Sequence, residues 1–172
     1  MPELIPFLTK EEIASKIAVV AQQISEDYKG RDLVLIGALK GSFIFVSDLA
    51  RQLTIPAKID FIRASSYGAS TTSSGKVVIT QDKTLDIAGK HVLIVEDIVD
   101  TGLTLSHLVE YFKAFDAKSV KVCALLDKHE RRDKEVTVDY SCHRLEEGFL
   151  VGYGLDYNEE YRNLPAIYHL KL

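Results

Sequence analysis

The residues best suited to chemistry stand together in Val92–Thr104, VLIVEDIVDTGLT, where an apolar stretch ends in Glu96, Asp97 and Asp100 and runs directly into Thr101-Gly102-Leu103-Thr104. Three carboxylates inside five residues repel one another, so a fold keeps them together only when cations or hydroxyl donors satisfy them. Sugar hydroxyls and Mg²⁺ are the natural partners. The Asp100–Thr104 segment adds unpaired backbone amides, threonine hydroxyls and a glycine at the start of a helix, an anion site suited to a phosphate. In an open α/β sheet, ligands gather at the carboxyl ends of the strands, which is where these acids fall. The plainer use of Asp100 or Thr101 is to cap the helix, with Glu96 and Asp97 as solvated strand-end residues. Acids set against a phosphate-type turn are a denser constellation than capping requires. Two other phosphate chemistries are excluded. There is no GxxxxGK[ST] run for a nucleoside triphosphate, and the acids stand as Asp-x-x-Asp-Thr instead of the DxDxT expected of aspartyl-phosphate phosphatases.

Hydrophobic spacing shows which elements position these residues. His91–Val95 reads as a buried strand, and beyond the Thr101-Gly102 turn Leu105, Leu108, Val109 and Phe112 line one face of a helix. Leu33–Leu39 is another apolar run of the kind covered on both faces, and Ser42 is placed to cap the helix that follows through Arg51. The β-to-α step therefore occurs twice. Ahead of it, Thr9 and Glu12 form a capping box, Ile13, Ile17, Val20 and Ile24 recur at helical spacing, and Gly30 stops the pattern. Ile59–Ile62, Val77–Thr80, Val120–Leu126, Val136–Tyr140 and Phe149–Tyr153 are further strand candidates, while Ala64–Gly75, ASSYGASTTSSG, reads as a mobile loop. Roughly six or seven strands alternating with few helices predict an α/β fold on a mainly parallel, twisted sheet flanked by helices.

Composition bounds the rest. A chain of 172 residues, 47% of them apolar, fits one domain over 1–172 with a real core. Its net charge of −4 offers no basic excess for displacing counterions from nucleic acid. The start, MPELIPFLTKEE, lacks a basic patch followed by an apolar run, and nowhere do about 18 apolar residues run together, so neither export nor membrane insertion is expected. Cys123 and Cys142 lie far apart, and the histidines show no zinc-ligand spacing. A reducing, cytoplasmic location is expected.

The run VLIVEDIVDTGLTL resembles the phosphoribosyl-pyrophosphate-binding motif of the type I purine phosphoribosyltransferases, closest to their hypoxanthine-guanine branch. Leu39-Lys40-Gly41, Ser66-Tyr67, Lys128 and Phe149–Pro165, FLVGYGLDYNEEYRNLP, also fall where that family has signatures, so the resemblance covers nearly the whole chain. It implies a parallel sheet, a small hood built from the terminal segments, and a flexible active-site loop. The implied reaction is Mg²⁺-dependent transfer of 5-phosphoribosyl from phosphoribosyl pyrophosphate to a 6-oxopurine, giving IMP or GMP and pyrophosphate.

The resemblance also implies roles. Glu96 and Asp97 hold the ribose hydroxyls and Asp100–Thr104 the 5′-phosphate, with Asp100 also the general base at purine N7. Leu39-Lys40 matches a peptide the family often holds cis, presenting Lys40 and Gly41 amides to pyrophosphate, and Arg162 a second pyrophosphate contact. Lys128 matches the donor to purine O6, which favours 6-oxopurines over adenine; locally it reads as a solvated lysine. Phe149 matches the ring that stacks on the purine, and by local sequence it reads equally as a core residue. The Leu150 and Asp156 backbones would meet the purine edge, and Asp156, with Glu96 and Asp97, is the acid set for Mg²⁺. Ser66-Tyr67 heads the loop that closes over the sugar. Gly148 and Leu150 depart from the residues usual there, and Leu103 from a residue that is often polar.

Two other readings stay open from sequence: a phosphoribosyltransferase for xanthine or another base, and a regulatory protein that binds RNA on the same fold. A homo-oligomer, dimer or tetramer, is expected from the family.

Overall fold

Strand β1 (Glu3–Leu8) leads into helix α1 (Lys10–Asp27), followed by β2 (Leu33–Leu39), α2 (Phe43–Gln52), β3 (Lys58–Ser66) and β4 (Val77–Thr80). Then come β5 (His91–Val99), α3 (Leu103–Lys113), β6 (Ser119–Lys128), β7 (Tyr140–Leu145), β8 (Leu150–Val151) and β9 (Ile167–Lys171). The computed structural model describes residues 1–66, 77–80 and 86–172. Tyr67 and most of the expected loop lie outside the described residues.

A six-stranded sheet runs in the order β4-β3-β2-β5-β6-β7. All its pairings are parallel except that of the edge strand β4 with β3. Side chains alternate across a strand, so each central strand feeds two cores. Leu33, Leu35, Leu93, Val95, Cys123 and Leu125 face α1 and α2. Val34, Ile36, Val92, Ile94, Val122 and Ala124 face α3 through Leu105, Leu108 and Phe112. Burial on both faces is why these strands read as unbroken apolar runs.

The capping box at Thr9 is formed in both directions: Glu12 N–H donates to Thr9 Oγ1 at 3.1 Å and Thr9 N–H to Glu12 Oε2 at 2.8 Å. The hood implied by the resemblance is a three-stranded antiparallel sheet, β1-β9-β8, in which the two ends of the chain pair side by side. Its strands left little trace in the sequence because β1 is exposed along most of its length and carries no alternation.

Three expectations are corrected. Ser42 is fully buried but does not cap α2, because its backbone is already helical, at φ −83° and ψ −5°, and Phe43 N–H donates to Lys40 O instead. Val136–Val138 is not a strand. Val136 and Val138 are apolar because they pack beside α3, and β7 starts only at Tyr140 after the Asp139 carboxylate has accepted the Val122 N–H at 2.8 Å. Of Phe149–Tyr153, only Leu150–Val151 is strand. Gly152, at φ +98°, ends it by turning so closely on Ala166 O that a Cβ would lie 2.1 Å away.

Both cysteines are free. Burial pushes the Cys142 thiol up to about 12 and holds Cys123, inside the sheet, well above its usual range. At pH 8 the thiolate fraction of Cys142 should be about a thousandth of that of an unperturbed thiol. Native protein should therefore leave Ellman's reagent almost unreacted over an hour, with both thiols titrating promptly in guanidinium chloride.

Candidate active site

The cluster at the end of β5 is assembled by three chain segments besides its own. Glu96 and Asp97 lie within the last turn-facing residues of the strand, both half-buried, and Asp100 opens the connection to α3. Burial pushes the Glu96 carboxyl well above its ordinary range, and the neighbouring Asp97 carboxylate adds to this; burial also raises Asp97. Acids held this way gain from a bound hydroxyl donor or cation.

The connection to α3 is not built for capping. Gly102 is the N-cap, at φ +82°, and has no side chain with which to accept. A Cβ there would come within 2.6 Å of Lys134 O, so only glycine fits. Thr101 Oγ1 accepts from Leu103 N–H at 3.3 Å, and Leu103 buries its side chain. The first turn borders a cleft of about 230 Å³ lined by Leu39, Glu96, Asp100, Thr101, Gly102 and Thr104, beside a helix start whose first amides have no partner within the helix. Asp100 is thus not spent on capping; its Oδ2 lies 3.5 Å from Arg131 Nη1. Its Oδ1 is buried with no hydrogen-bond partner among the described residues.

Arg132, which sequence reasoning passed over as one of a charged run, holds this connection in place. Its guanidinium donates to Asp100 O at 3.0 Å, Val99 O at 3.3 Å, Lys128 O at 2.8 Å and Asp127 Oδ1 at 2.5 Å. One planar fork therefore ties the end of β5 to the end of β6. Lys128 ends β6 almost fully buried, with its ammonium 4.0 Å from Asp100 Oδ1 and 3.5 Å from Glu130 Oε2. The solvated reading of Lys128 is thereby set aside. No motif marks Arg132; only the fact that a lysine and an aspartate had to be held together could have pointed to it.

A second junction joins β2 to the hood. The Leu39-Lys40 peptide is cis, in agreement with the expectation from the resemblance. At Gly41 an added Cβ would fall 1.7 Å from Asp97 Oδ2, and at Gly154, φ +99°, one would fall 2.2 Å from Gly41 O. Asp97, Gly41 and Gly154 thus stack in direct contact. Arg162 Nη1 donates to Gly154 O at 2.7 Å, and Nη2 approaches Asp156 Oδ1 at 3.3 Å and Glu159 Oε1 at 3.1 Å. Glu159 Oε2 in turn accepts from Lys40 Nζ at 2.8 Å. These two hydrogen bonds, the one from Lys40 first, hold the Glu159 carboxyl below its ordinary range.

Beyond Lys128 an open cavity of about 510 Å³ is lined by Glu130, Arg131, Glu147, Gly148, Phe149 and His169. Phe149 is 49% exposed and meets Tyr157 edge-on at 5.8 Å, so it is not a core residue. Gly148, at φ +124°, packs against the His169 ring, where a Cβ would be 2.5 Å from Cε1. His169, given no role from sequence, forms part of this wall. Leu150 is buried in β8. Ser66 ends β3; Tyr67 lies outside the described residues.

The structure therefore brings together an acidic strand end, an amide-lined turn, a buried lysine facing an unpartnered carboxylate oxygen, and an arginine–lysine pair. A model of the phosphoribosyl transferase domain matches residues 7–158. The chain belongs to the phosphoribosyl transferase domain family. It is 46% identical over 164 residues to the hypoxanthine-guanine phosphoribosyltransferase of Streptococcus pneumoniae, covering 95% of this chain and 91% of that protein. To the hypoxanthine phosphoribosyltransferase of Escherichia coli it is 44% identical over 162 residues, covering 93% and 91%. Among solved structures, a Staphylococcus aureus hypoxanthine phosphoribosyltransferase superposes with a TM-score of 0.93 at 42% identity, covering 96% of this chain and 90% of that one. A Bacillus anthracis hypoxanthine-guanine phosphoribosyltransferase with HEPES in its active site gives 0.92 at 41% identity, covering 100% of both. These phosphoribosyltransferases share the mostly parallel sheet flanked by helices.

Two substitutions test the junctions. Gly41→Ala should leave the circular-dichroism spectrum intact while kcat/KM for transfer falls at least about a hundredfold, because Asp97 must move. Arg132→Met strands buried carbonyls and the Asp127 carboxylate, and should cost about 2–4 kcal/mol in urea denaturation.

Proposed function

We propose that this enzyme transfers 5-phosphoribosyl from phosphoribosyl pyrophosphate to hypoxanthine or guanine, releasing pyrophosphate and forming IMP or GMP in purine salvage. The observation that carries the choice of base is the facing pair of Lys128 Nζ and the unpartnered Asp100 Oδ1, 4.0 Å apart. Donor beside acceptor complements the O6 and N7–H edge of a 6-oxopurine. Adenine presents an amino donor in place of O6 and would set two donors against each other at the buried ammonium.

The residues act as follows. Glu96 and Asp97 accept the ribose 2′- and 3′-hydroxyl protons and fix the ring. The amides and hydroxyls of Thr101–Thr104, with the Asp100 backbone, take the 5′-phosphate. Lys40 and Gly41 amides and the Arg162 guanidinium receive the pyrophosphate as the C1′–O bond breaks and the sugar gains oxocarbenium character. Asp100 accepts the N7 proton as N9 bonds to C1′. Phe149 stacks on the base, and the Leu150 and Asp156 backbones meet its far edge. By the family resemblance, Ser66 and Tyr67 would help exclude water from the activated sugar.

Magnesium suits the oxygen donors here. Among the described residues no three acidic, histidine or cysteine side chains converge as a ready cage, so Glu96, Asp97 and Asp156 would not bind the ion alone. That fits an ion held by one or two carboxylates and by the substrate's own phosphates. Bound there, it neutralises the charge of the departing pyrophosphate.

A reducing cytoplasm suits two free cysteines, and no described helix is long and apolar enough to cross a membrane. We propose also a dimer or tetramer; a Trypanosoma cruzi relative, 44% identical, was solved to address how its C-terminal region affects oligomeric state.

Incubation with phosphoribosyl pyrophosphate, Mg²⁺ and each of hypoxanthine, guanine, xanthine, adenine and uracil tests the reading. Hypoxanthine and guanine should turn over, with adenine at least about a hundredfold slower in kcat/KM. Absence of turnover with every 6-oxopurine would overturn it. Asp100→Asn should lower kcat by about 100- to 10,000-fold without unfolding the protein, and a wild-type rate would remove Asp100 from the general-base role.

A further inference from the structure

Glu159 has no role in the transfer as described, yet it holds the Arg162 guanidinium assigned to pyrophosphate and the ammonium of Lys40, whose backbone amide carries the same assignment. Its Oε2 lies 2.8 Å from Lys40 Nζ and its Oε1 3.1 Å from Arg162 Nη2. Lys40 is 119 residues away in sequence, so this pairing is a product of the fold. The turn that presents Glu159 is tightly specified. Tyr157 and Glu160 exchange backbone hydrogen bonds at 3.1 and 3.0 Å, and between them Asn158 and Glu159 both adopt positive φ, 52° and 66°. Two successive left-handed residues make a type I′ turn, a conformation that glutamate rarely adopts. Glu159 N–H also donates to Asp156 Oδ2 at 2.9 Å. The backbone thus aims one carboxylate at two cations.

We propose that Glu159 is an internal competitor of the pyrophosphate group, its carboxylate taking the places of two phosphate oxygens whenever the site is empty. This rests on the reading above that the Lys40 amide and the Arg162 guanidinium receive pyrophosphate, and adds the Lys40 ammonium to that set. A carboxylate bridging two cations offers the same charge-assisted acceptors as a diphosphate, with less charge and fewer oxygens. The ligand therefore wins, but against a standing opponent. The Glu159 side chain is 62% exposed and that of Lys40 48%, so the carboxylate can swing into solvent while Asp156 and the turn stay in place. Exposed pairs are individually weak. The device therefore tunes affinity for pyrophosphate and for the pyrophosphate end of the substrate, and it re-forms as product departs. It also keeps Lys40 and Arg162 from drawing stray anions into an empty site.

The alternative is that Glu159 positions the two cations for the ligand. The signs differ. If Glu159 competes, Glu159→Gln, which keeps size and removes charge, should bind magnesium pyrophosphate about three- to tenfold more tightly by calorimetry. The KM for phosphoribosyl pyrophosphate should fall with it, and Glu159→Ala should shift both in the same direction. Unchanged or weaker pyrophosphate binding in both variants would overturn the proposal. Arg162→Gln, measured alongside, separates this from failure of the underlying assignment. With the assignment right it binds pyrophosphate more weakly than wild type; if it binds equally well, Arg162 is not a pyrophosphate ligand and the competition falls with that assignment.

Discussion

At Gly41 the chain has room for no atom beyond Cα, because the Asp97 carboxylate lies against it and Gly154 closes on its carbonyl from the hood. This close approach is the contact on which the rest of the site depends. It brings the loop after β2, the end of β5 and the segment before β9 to one point, although they are far apart in sequence. A glycine there is a steric necessity, and its cost in chain entropy is offset by what it joins. The amides beside Gly41 can then meet the same ligand as the acids of β5, and the Arg162 fork, anchored on Gly154 O, can reach both.

The second constraint is electrostatic. Carboxylates at the end of β5 would push one another apart if solvent were their only partner, and burial makes Glu96 and Asp97 harder to ionise. The protein answers with cations brought from other elements: Lys128 from β6 and Arg131 from the following loop lie 4.0 and 3.5 Å from the Asp100 carboxylate, and the charge of Arg162 from the hood favours ionised Asp97. Arg132 makes no contact with the Asp100 carboxylate that any bond above records. It grips the backbone beside Asp100 and Lys128, so their spacing is a property of the loop–strand junction instead of two flexible side chains. Activity here therefore depends on positioning as much as on the identity of the acids.

Division of labour between the two sheets follows. The large parallel sheet, buried on both faces, supplies the rigid strand ends, and the hood supplies the wall formed by Phe149, Gly148 and His169. The hood is held by pairing of chain termini and by single tight glycine turns, which leaves its cavity open to solvent. The cavity beyond Lys128 thus sits at the seam between a stiff element and a lightly built one.

The sequence by itself determined the cluster at Val92–Thr104, the capped first helix and the doubly buried strands, because each is a local pattern whose physical reason lies within one window of the chain. It also placed Asp100 and the Thr101–Thr104 turn at a strand end, where the structure has them. The hood strands β1 and β9, the short extent of β8, the irregular path of Val136–Val138 and the uncapped Ser42 were not legible, since exposure, packing beside α3 and backbone turns leave no periodic mark. Nor could local sequence separate a buried Lys128 from a solvated one, or Phe149 in the core from Phe149 at a cavity. Tertiary structure alone decided those, along with the Arg132 fork and the Glu159 bridge. Each is a contact between segments brought together only when the sheet forms, and its partners carry charges that, read singly, look like ordinary surface.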